Sequence, residues 1–490
     1  MTCIEESPSL ASANEIVYTL AMKSMVSLFV LLLFAPCLSA AEPKAGDPAD
    51  YVIVVSEPTK AAWPDVVQAL EKKYEGAATI TFAEKLDEVL SELRKHHPRH
   101  TCFVARHPEV TRSFVAEVHR LTRRLDKDPY TDTQWGILTG FDQANALAIA
   151  RHADDLTIRK VASGTEVELD LCEEGLWYCE LKKGHMVRKK AGAEPTATEG
   201  PADTTRALAD TLTDYKADLF ITSGHATERN WQIGFRYKNG YFRSKDGQLF
   251  GTDTGGDRFD ISNDSPRVYM PIGNCLMGHI DGPDAMALAW MNSAGVKQML
   301  GYTVPTWFGY QGWGVLDYFV EQPGRYTYTE AFFANHHALI HKLKIKHPDL
   351  LAKNPPPGKT TAYNEPGGLL FDRDVVAFYG DPAWRASMAG SPKRLPAYGQ
   401  KLTEKDGVYT FVITPNRGSD SFKPVNTNGA QRGLRPVVQW LPQRVGEVEL
   451  LEGAELKPEI TDDFILIPHD GSFDLEREYK VVFRAAPIAK

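Results

Sequence analysis

The chain has 490 residues, with 55 Lys+Arg against 64 Asp+Glu, a formal net charge of -9, 43% hydrophobic residues, 10% aromatic residues and 6 Cys. At roughly 150 residues per domain this is chain enough for about three compact units, and the ordinary share of charge and aromatics excludes a disordered or collagen-like polymer. The acidic balance offers no electrostatic ground for a nucleic-acid partner, and so few Cys over this length exclude a disulfide scaffold.

The first distinctive segment is the apolar run Met25 to Leu38, 14 residues preceded by Lys23 and followed by Ser39-Ala40-Ala41. A bilayer-spanning helix needs about 20 residues, so no stable membrane span is expected. Length and flanks instead predict a secretory signal peptide over residues 1–40, cleaved near Ala40 or Ala41, and a secreted or periplasmic destination. Residues 1–21 hold Glu5, Glu6 and Glu15 but no Lys or Arg. That is the wrong charge for the start of a signal, and translation from Met22 or Met25 is the corresponding expectation.

From Tyr51 short apolar runs alternate with amphipathic stretches: strands at 51–55, 78–82, 101–105 and 135–140, with helices at 61–74, 84–95, 110–125 and 143–151 between them. Continuous apolar strands separated by helices predict a parallel sheet covered on both faces. We assign residues 41–200 to a first doubly wound α/β subdomain with a connector, the polar stretch AGAEPTATEG. Within it Cys172 and Cys179 either close a short disulfide loop around a hairpin or stand as two thiols, since spacing alone does not bring their Cα atoms together.

A second α/β subdomain is predicted over 201–392: a helix from Thr204 to Lys216, a strand at 217–223, a hairpin-rich stretch to Asp264, a strand at 267–273, a helix at 284–294 and a strand at 296–302. Helices at 314–320 and 328–347 follow, and His336, His337 and His341 on the second of these are expected on a solvated polar face. Beyond Pro392, short alternating strands predict an all-β, sandwich-like domain over 393–490.

Two strands of the second subdomain run into reactive residues. The first, ADLFITS, leads into Gly224-His225-Ala226, and the second, RVYMPIG, leads into Asn274-Cys275. Ligands of open parallel sheets bind at the carboxyl ends of strands, so His225 and Cys275 share an edge if their strands are neighbours. A thiol beside an imidazole acquires thiolate character near neutral pH. The rival readings are a buried structural thiol with a hydrogen-bonded strand-end His, and a metal site of Cys275, His279 and His225, which no closed zinc-ligand spacing supports.

These motifs, SGHATERNW (223–231), GNCLMGHIDG (273–282), the aromatic loop TVPTWFGYQGWG (303–314) and YGDPAW (379–384), resemble the gingipain family, the C25 type of clan CD cysteine peptidases with a caspase-like catalytic fold. The resemblance covers most of residues 50–490. It implies an endopeptidase acting on protein or peptide substrates without a required cofactor, with Cys275 as nucleophile and His225 as general base and acid. Oxyanion support would come from backbone N–H groups around Gly224, Ala226 and the Asn274-Cys275 turn. Trp307 and Trp313 would wall the substrate pocket, and Asp253, Asp257 and Asp260 would be candidate calcium ligands, with a plain turn-rich loop as their alternative reading. Where the family usually has His-Gly this chain has His225-Ala226, and Gly tolerates backbone angles that Ala resists. The competing reading is a catalytically inactive scaffold of the same fold that binds peptides or surface polymers; a thiol-dependent acyl transferase or amidase would use the same dyad.

Overall fold

The computed structural model describes residues 50–391, 393–417, 431–469 and 477–488. The signal-like run 25–38, the starts at Met22 and Met25, Cys3 and Cys37 lie outside the described residues. None of the described helices is long and apolar enough to cross a membrane.

Twelve strands form one mixed α/β sheet. In chain order they are β1 (Tyr51–Ser56), β2 (Ala78–Phe82), β3 (His100–Val104), β4 (Gln134–Leu138), β5 (Lys160–Ser163), β6 (Glu174–Tyr178), β7 (His185–Lys189), β8 (Thr196–Glu199), β9 (Leu219–Thr222), β10 (Arg267–Pro271), β11 (Val296–Tyr302) and β12 (Val376–Gly380). Their spatial order is β2-β1-β3-β4-β12-β11-β10-β9-β5-β6-β7-β8. The first four are mutually parallel, and β1, β3 and β4 are nearly all buried while β2, at the sheet's edge, is half-exposed. Their apolar runs do not alternate because helices between the strands cover both faces.

The second half contributes five adjacent parallel strands, β11-β10-β9-β5-β6. Strand β12 runs antiparallel to β11 and joins the halves through Tyr379 opposite Ile137. Residues 160–199, grouped in the sequence reading with the first half, are hydrogen-bonded beyond β9 instead. Local differences have local causes. The helix expected over 61–74 is two helices, Glu57–Ala62 and Pro64–Lys73, because Pro64 supplies no N–H and the residue before a proline avoids helical angles.

Cys172 and Cys179 are both free and buried, which corrects the disulfide option. The hairpin follows Cys179 rather than lying between the two residues, with Cys179 N–H donating to the His185 carbonyl at 2.9 Å. The thiols therefore sit at opposite ends of the extended β6, about 20 Å apart at strand rise, where a disulfide needs Cα atoms within about 7 Å.

The C-terminal region is all-β. A four-stranded antiparallel sheet, Tyr398–Lys405, Val408–Pro415, Tyr479–Pro487 and Val445–Glu452, faces a three-stranded one, Val437–Trp440, Phe464–Ile467 and Glu459–Ile460. Alternation along the small sheet gives it two apolar faces. Val437, Ile465 and Ile467 pack with Tyr409, Phe411 and Phe483 of the four-stranded sheet, while Val438, Trp440, Phe464 and Leu466 join the core of the large sheet.

They dock there on the helix Tyr328–Lys346, and this overturns the solvated face expected for His336, His337 and His341. His336 and His337 are fully buried and His341 nearly so. The His337 ring stacks on Phe464 at 4.4 Å between centroids, and His341 Nδ1 meets the Tyr130 hydroxyl at 2.9 Å. A period-3.6 reading finds a helix and its polar stripe, but it does not register a second domain lying against that stripe.

Candidate active site

Strands β9 and β10 are direct parallel neighbours, with Leu219 opposite Val268 and Thr222 opposite Pro271. The chain leaves both at the same sheet edge and reaches His225 three residues beyond Thr222 and Cys275 four beyond Pro271. The turns are tied by one side chain. Asn274, fully buried, accepts from Thr222 Oγ1 at 2.6 Å and donates through Nδ2 to the carbonyl oxygen of Gly224 at 3.0 Å. The residue before the cysteine thus holds the residue before the histidine.

The Cys275 turn is braced from β11. Leu276 N–H donates to the Val304 carbonyl at 3.2 Å and Gly278 N–H to the Tyr302 carbonyl at 2.9 Å, while Tyr379 Oη donates to the Gly278 carbonyl at 2.6 Å. Leu276 has φ 59, a left-handed conformation unusual for a residue with a side chain and sustained here by those bonds. The thiol is partly exposed, and its Sγ receives the Thr306 N–H at 3.2 Å.

Gly224 has φ +91, an angle suited to glycine. Ala226 is in the short strand Ala226–Thr227, paired with Trp231, and is absent from the positive-φ residues. The demand for glycine therefore falls two positions before the His-Ala departure. His225 itself is exposed, with its ring stacked on Phe235 at 4.9 Å between centroids and 29° between planes.

Two groups escaped the sequence reading. Glu180, just past β6, is 3% exposed; its Oε1 accepts from Thr165 Oγ1 at 2.5 Å, and its Oε2 accepts from Ser223 Oγ. A Cβ on Gly224 would lie 3.4 Å from that Oε2. A buried carboxylate therefore underlies the turn that carries His225. The strand-end rule that singled out His225 and Cys275 would have reached Glu180 had β6 been recognised as a parallel member of the same sheet. The second is Glu228, whose Oε1 meets Nδ1 of His279 at 3.0 Å, with Arg112 Nη2 3.3 Å from the same nitrogen. His279 is thus engaged with a carboxylate and a guanidinium.

Trp307 follows Thr306 and is half-buried among Phe308, Tyr363 and Phe371, so an aromatic surface begins one residue from the thiol's hydrogen-bond donor. Trp313 is buried beneath the Cys275 turn instead, and a Cβ on Gly273 would lie 2.6 Å from its Nε1. The acidic loop does not converge. Asp253 Oδ1 accepts the N–H groups of Gly255 and Asp257 at 2.9 Å each, and Asp260 pairs with Arg258 at 3.3 Å. The carboxylates that do gather among the described residues are those of Asp126, Asp128 and Asp132.

The chain is thus a large mixed α/β sheet with a β-rich C-terminal region, carrying a thiol and an imidazole on turns from neighbouring parallel strands. No family model matches it, and no curated protein does. Among solved structures it is similar to the Arg-specific cysteine proteinase gingipain R (RgpB), at 10% identity and a TM-score of 0.42 over 90% of this chain and 93% of that one. It is also similar to a complex of the pro- and mature domains of RgpB from Porphyromonas gingivalis, at 10% identity and a TM-score of 0.42 over 89% and 93% of the two chains. At that TM-score the likeness assigns neither residue nor activity to this chain.

Proposed function

We propose that the protein is a secreted cysteine endopeptidase with Cys275 as nucleophile and His225 as general base and acid. The observation that carries this reading is the Asn274 link between two turns at the carboxyl edge of adjacent parallel strands. Export is supported by the apolar run 25–38 with its small-residue flank.

In the proposed reaction His225 takes the thiol proton and the Cys275 sulfur attacks the carbonyl carbon of the scissile bond. Backbone N–H groups of the Cys275 and Gly224 turns stabilise the oxyanion, each donor worth about 3–4 kcal/mol in such chemistry. Collapse of the intermediate breaks the C–N bond, His225 returns its proton to the leaving amine, and a thioester remains. Water, deprotonated by the same imidazole, hydrolyses the thioester and regenerates the thiol. Glu180 positions the His225 turn through Ser223, and Phe235 supplies a platform for the ring. Beside the thiol, Trp307 and Tyr363 offer an aromatic wall for an apolar or flat substrate side chain, or for a cation held on a ring face.

The second reading, a non-catalytic peptide-binding scaffold, is favoured by one observation: the imidazole's stacking on Phe235, a use of the ring that needs no thiol. A peptidyl acyloxymethyl ketone separates the two. The peptidase reading expects a covalent adduct mapped to Cys275 by mass spectrometry and loss of peptide hydrolysis in Cys275→Ala. An unlabelled Cys275 under reducing conditions, with unchanged peptide binding by Cys275→Ala, would establish the scaffold.

A further inference from the structure

We infer a second binding site, for a small multivalent oxyanion, in a cavity of about 530 Å³. Its wall carries Arg120, Arg123, Arg124 and Arg373 together with Lys85. In a chain of net charge -9, such a gathering of cations requires a reason.

The internal carboxylates do not neutralise it. Asp374 alone serves three guanidiniums, with Arg123 Nη2 at 2.8 Å from Oδ1 and Arg120 Nε and Arg373 Nη2 at 3.2 and 2.9 Å from Oδ2. Asp87 holds Arg124 at 2.5 Å, and Glu117 is the other acid of the wall. Five cations against these three carboxylates and Glu88, which lies beside Lys85, leave one positive charge in surplus. Part of the wall's positive charge is out of water. The Arg373 side chain is 1% exposed, its nitrogens bonded to Asp374, to the Leu351 and Lys353 carbonyls and to Asn354 Oδ1; that of Arg123 is 9% exposed, and its Nη1 is buried with no hydrogen-bond partner among the described residues. Burial, with Arg373 pushing in the same direction, lowers Arg123 to about 10. Like charges held close in a partly desolvated wall repel one another, and an oxyanion relieves that repulsion and fits the fork geometry of guanidinium.

Leu86, Pro129, Ile340 and Leu351, with Asn354, complete the wall, so the occupant has room for an apolar body behind its anionic head, and the volume suits a small organic phosphate or polycarboxylate. The site is separate from Cys275 and stands whether or not the peptidase reading does.

Isothermal titration of the full chain at constant ionic strength tests this, with inorganic pyrophosphate in one arm and citrate in the other, distinguishing phosphate from carboxylate ligands. One-site binding is expected in at least one arm, above a sodium chloride control. The variant Lys85→Ala/Arg124→Ala alters two exposed side chains and leaves Asp374 and its partners intact. It is expected to melt like the parent without ligand and to bind about tenfold or more weakly. No binding beyond the salt control in either arm, or equal binding by the folded double variant, overturns the site.

Discussion

Truncating Asn274 to Ala removes the acceptor for Thr222 Oγ1 and leaves the Gly224 carbonyl without its amide donor. Thr222 Oγ1 keeps the Tyr269 hydroxyl at 2.9 Å, so the loss is that of one half-buried carbonyl's partner, about 1 kcal/mol. Thermal melting of Asn274→Ala should show that loss. Under the peptidase proposal kcat should fall with KM little changed, because the two turns lose their mutual placement. Gly273→Ala is a steric counterpart: its Cβ would stand 2.6 Å from Trp313 Nε1, and overpacking of this kind costs about 1–3 kcal/mol, read as a lowered denaturation midpoint. Phe235→Ala should lower kcat/KM by about 2- to 10-fold, the worth of an aromatic stack, without moving the melting temperature. His225 and Cys275 were legible as strand-end residues because an apolar run fixes where a parallel strand stops. Asn274 was named for its position, but its hydrogen bonds were not legible. Glu180 was hidden because a single acid after a strand carries no signal until that strand's neighbours are known.

At the level of elements the helix Tyr328–Lys346 is the most informative. Its N-terminus follows a sequence rule, Thr327 and Glu330 forming a reciprocal cap, but its histidines take their state from what packs on them. Burial lowers His337 to about 3 against an ordinary value near 6.5 in the unfolded chain. The unfolded state therefore binds more protons between those values, and the stabilising effect of a neutral His337, present above about pH 6.5, is lost as pH falls toward 3, a few kcal/mol in order of magnitude. His119 acts in the same direction, lowered by burial to about 4. Asp372 opposes them: burial raises it to about 7, so its effect is present below about pH 4 and is lost as pH rises toward 7. His337→Phe keeps an aromatic ring against Phe464 and removes only the histidine term. Its stability relative to the parent, measured by denaturant melts, should improve as pH falls from 6.5 to 4; an unchanged difference across that range would show that His337 takes up its proton alike in the folded and unfolded chains.

Across the whole molecule, the three-stranded sheet of the C-terminal region has one face in the sandwich core and the other in the core of the large sheet. Polar contacts reinforce the seam. Tyr318 Oη donates to the Pro436 carbonyl at 2.7 Å, and Arg432, its side chain 3% exposed, bonds Asp317 at 2.6 Å and also Glu321. Removing one partner of such a buried pair costs about 3–5 kcal/mol. Arg432→Met should therefore lower stability by that order, measured by denaturant unfolding, with a greater loss than Arg484→Met, whose pairing with Glu449 is exposed.

The residues by themselves determined the parallel α/β runs, the β-rich end and the strand ends at His225 and Cys275, because those features follow from local periodicity and from backbone rules acting within a few residues. Tertiary structure alone decided that residues 160–199 extend the sheet beyond β9, that Cys172 and Cys179 are held apart by a strand, that the long helix's histidines are buried, and that three arginines share Asp374. Each of these depends on contacts between segments distant in the chain, and such contacts form only when whole apolar faces find one another.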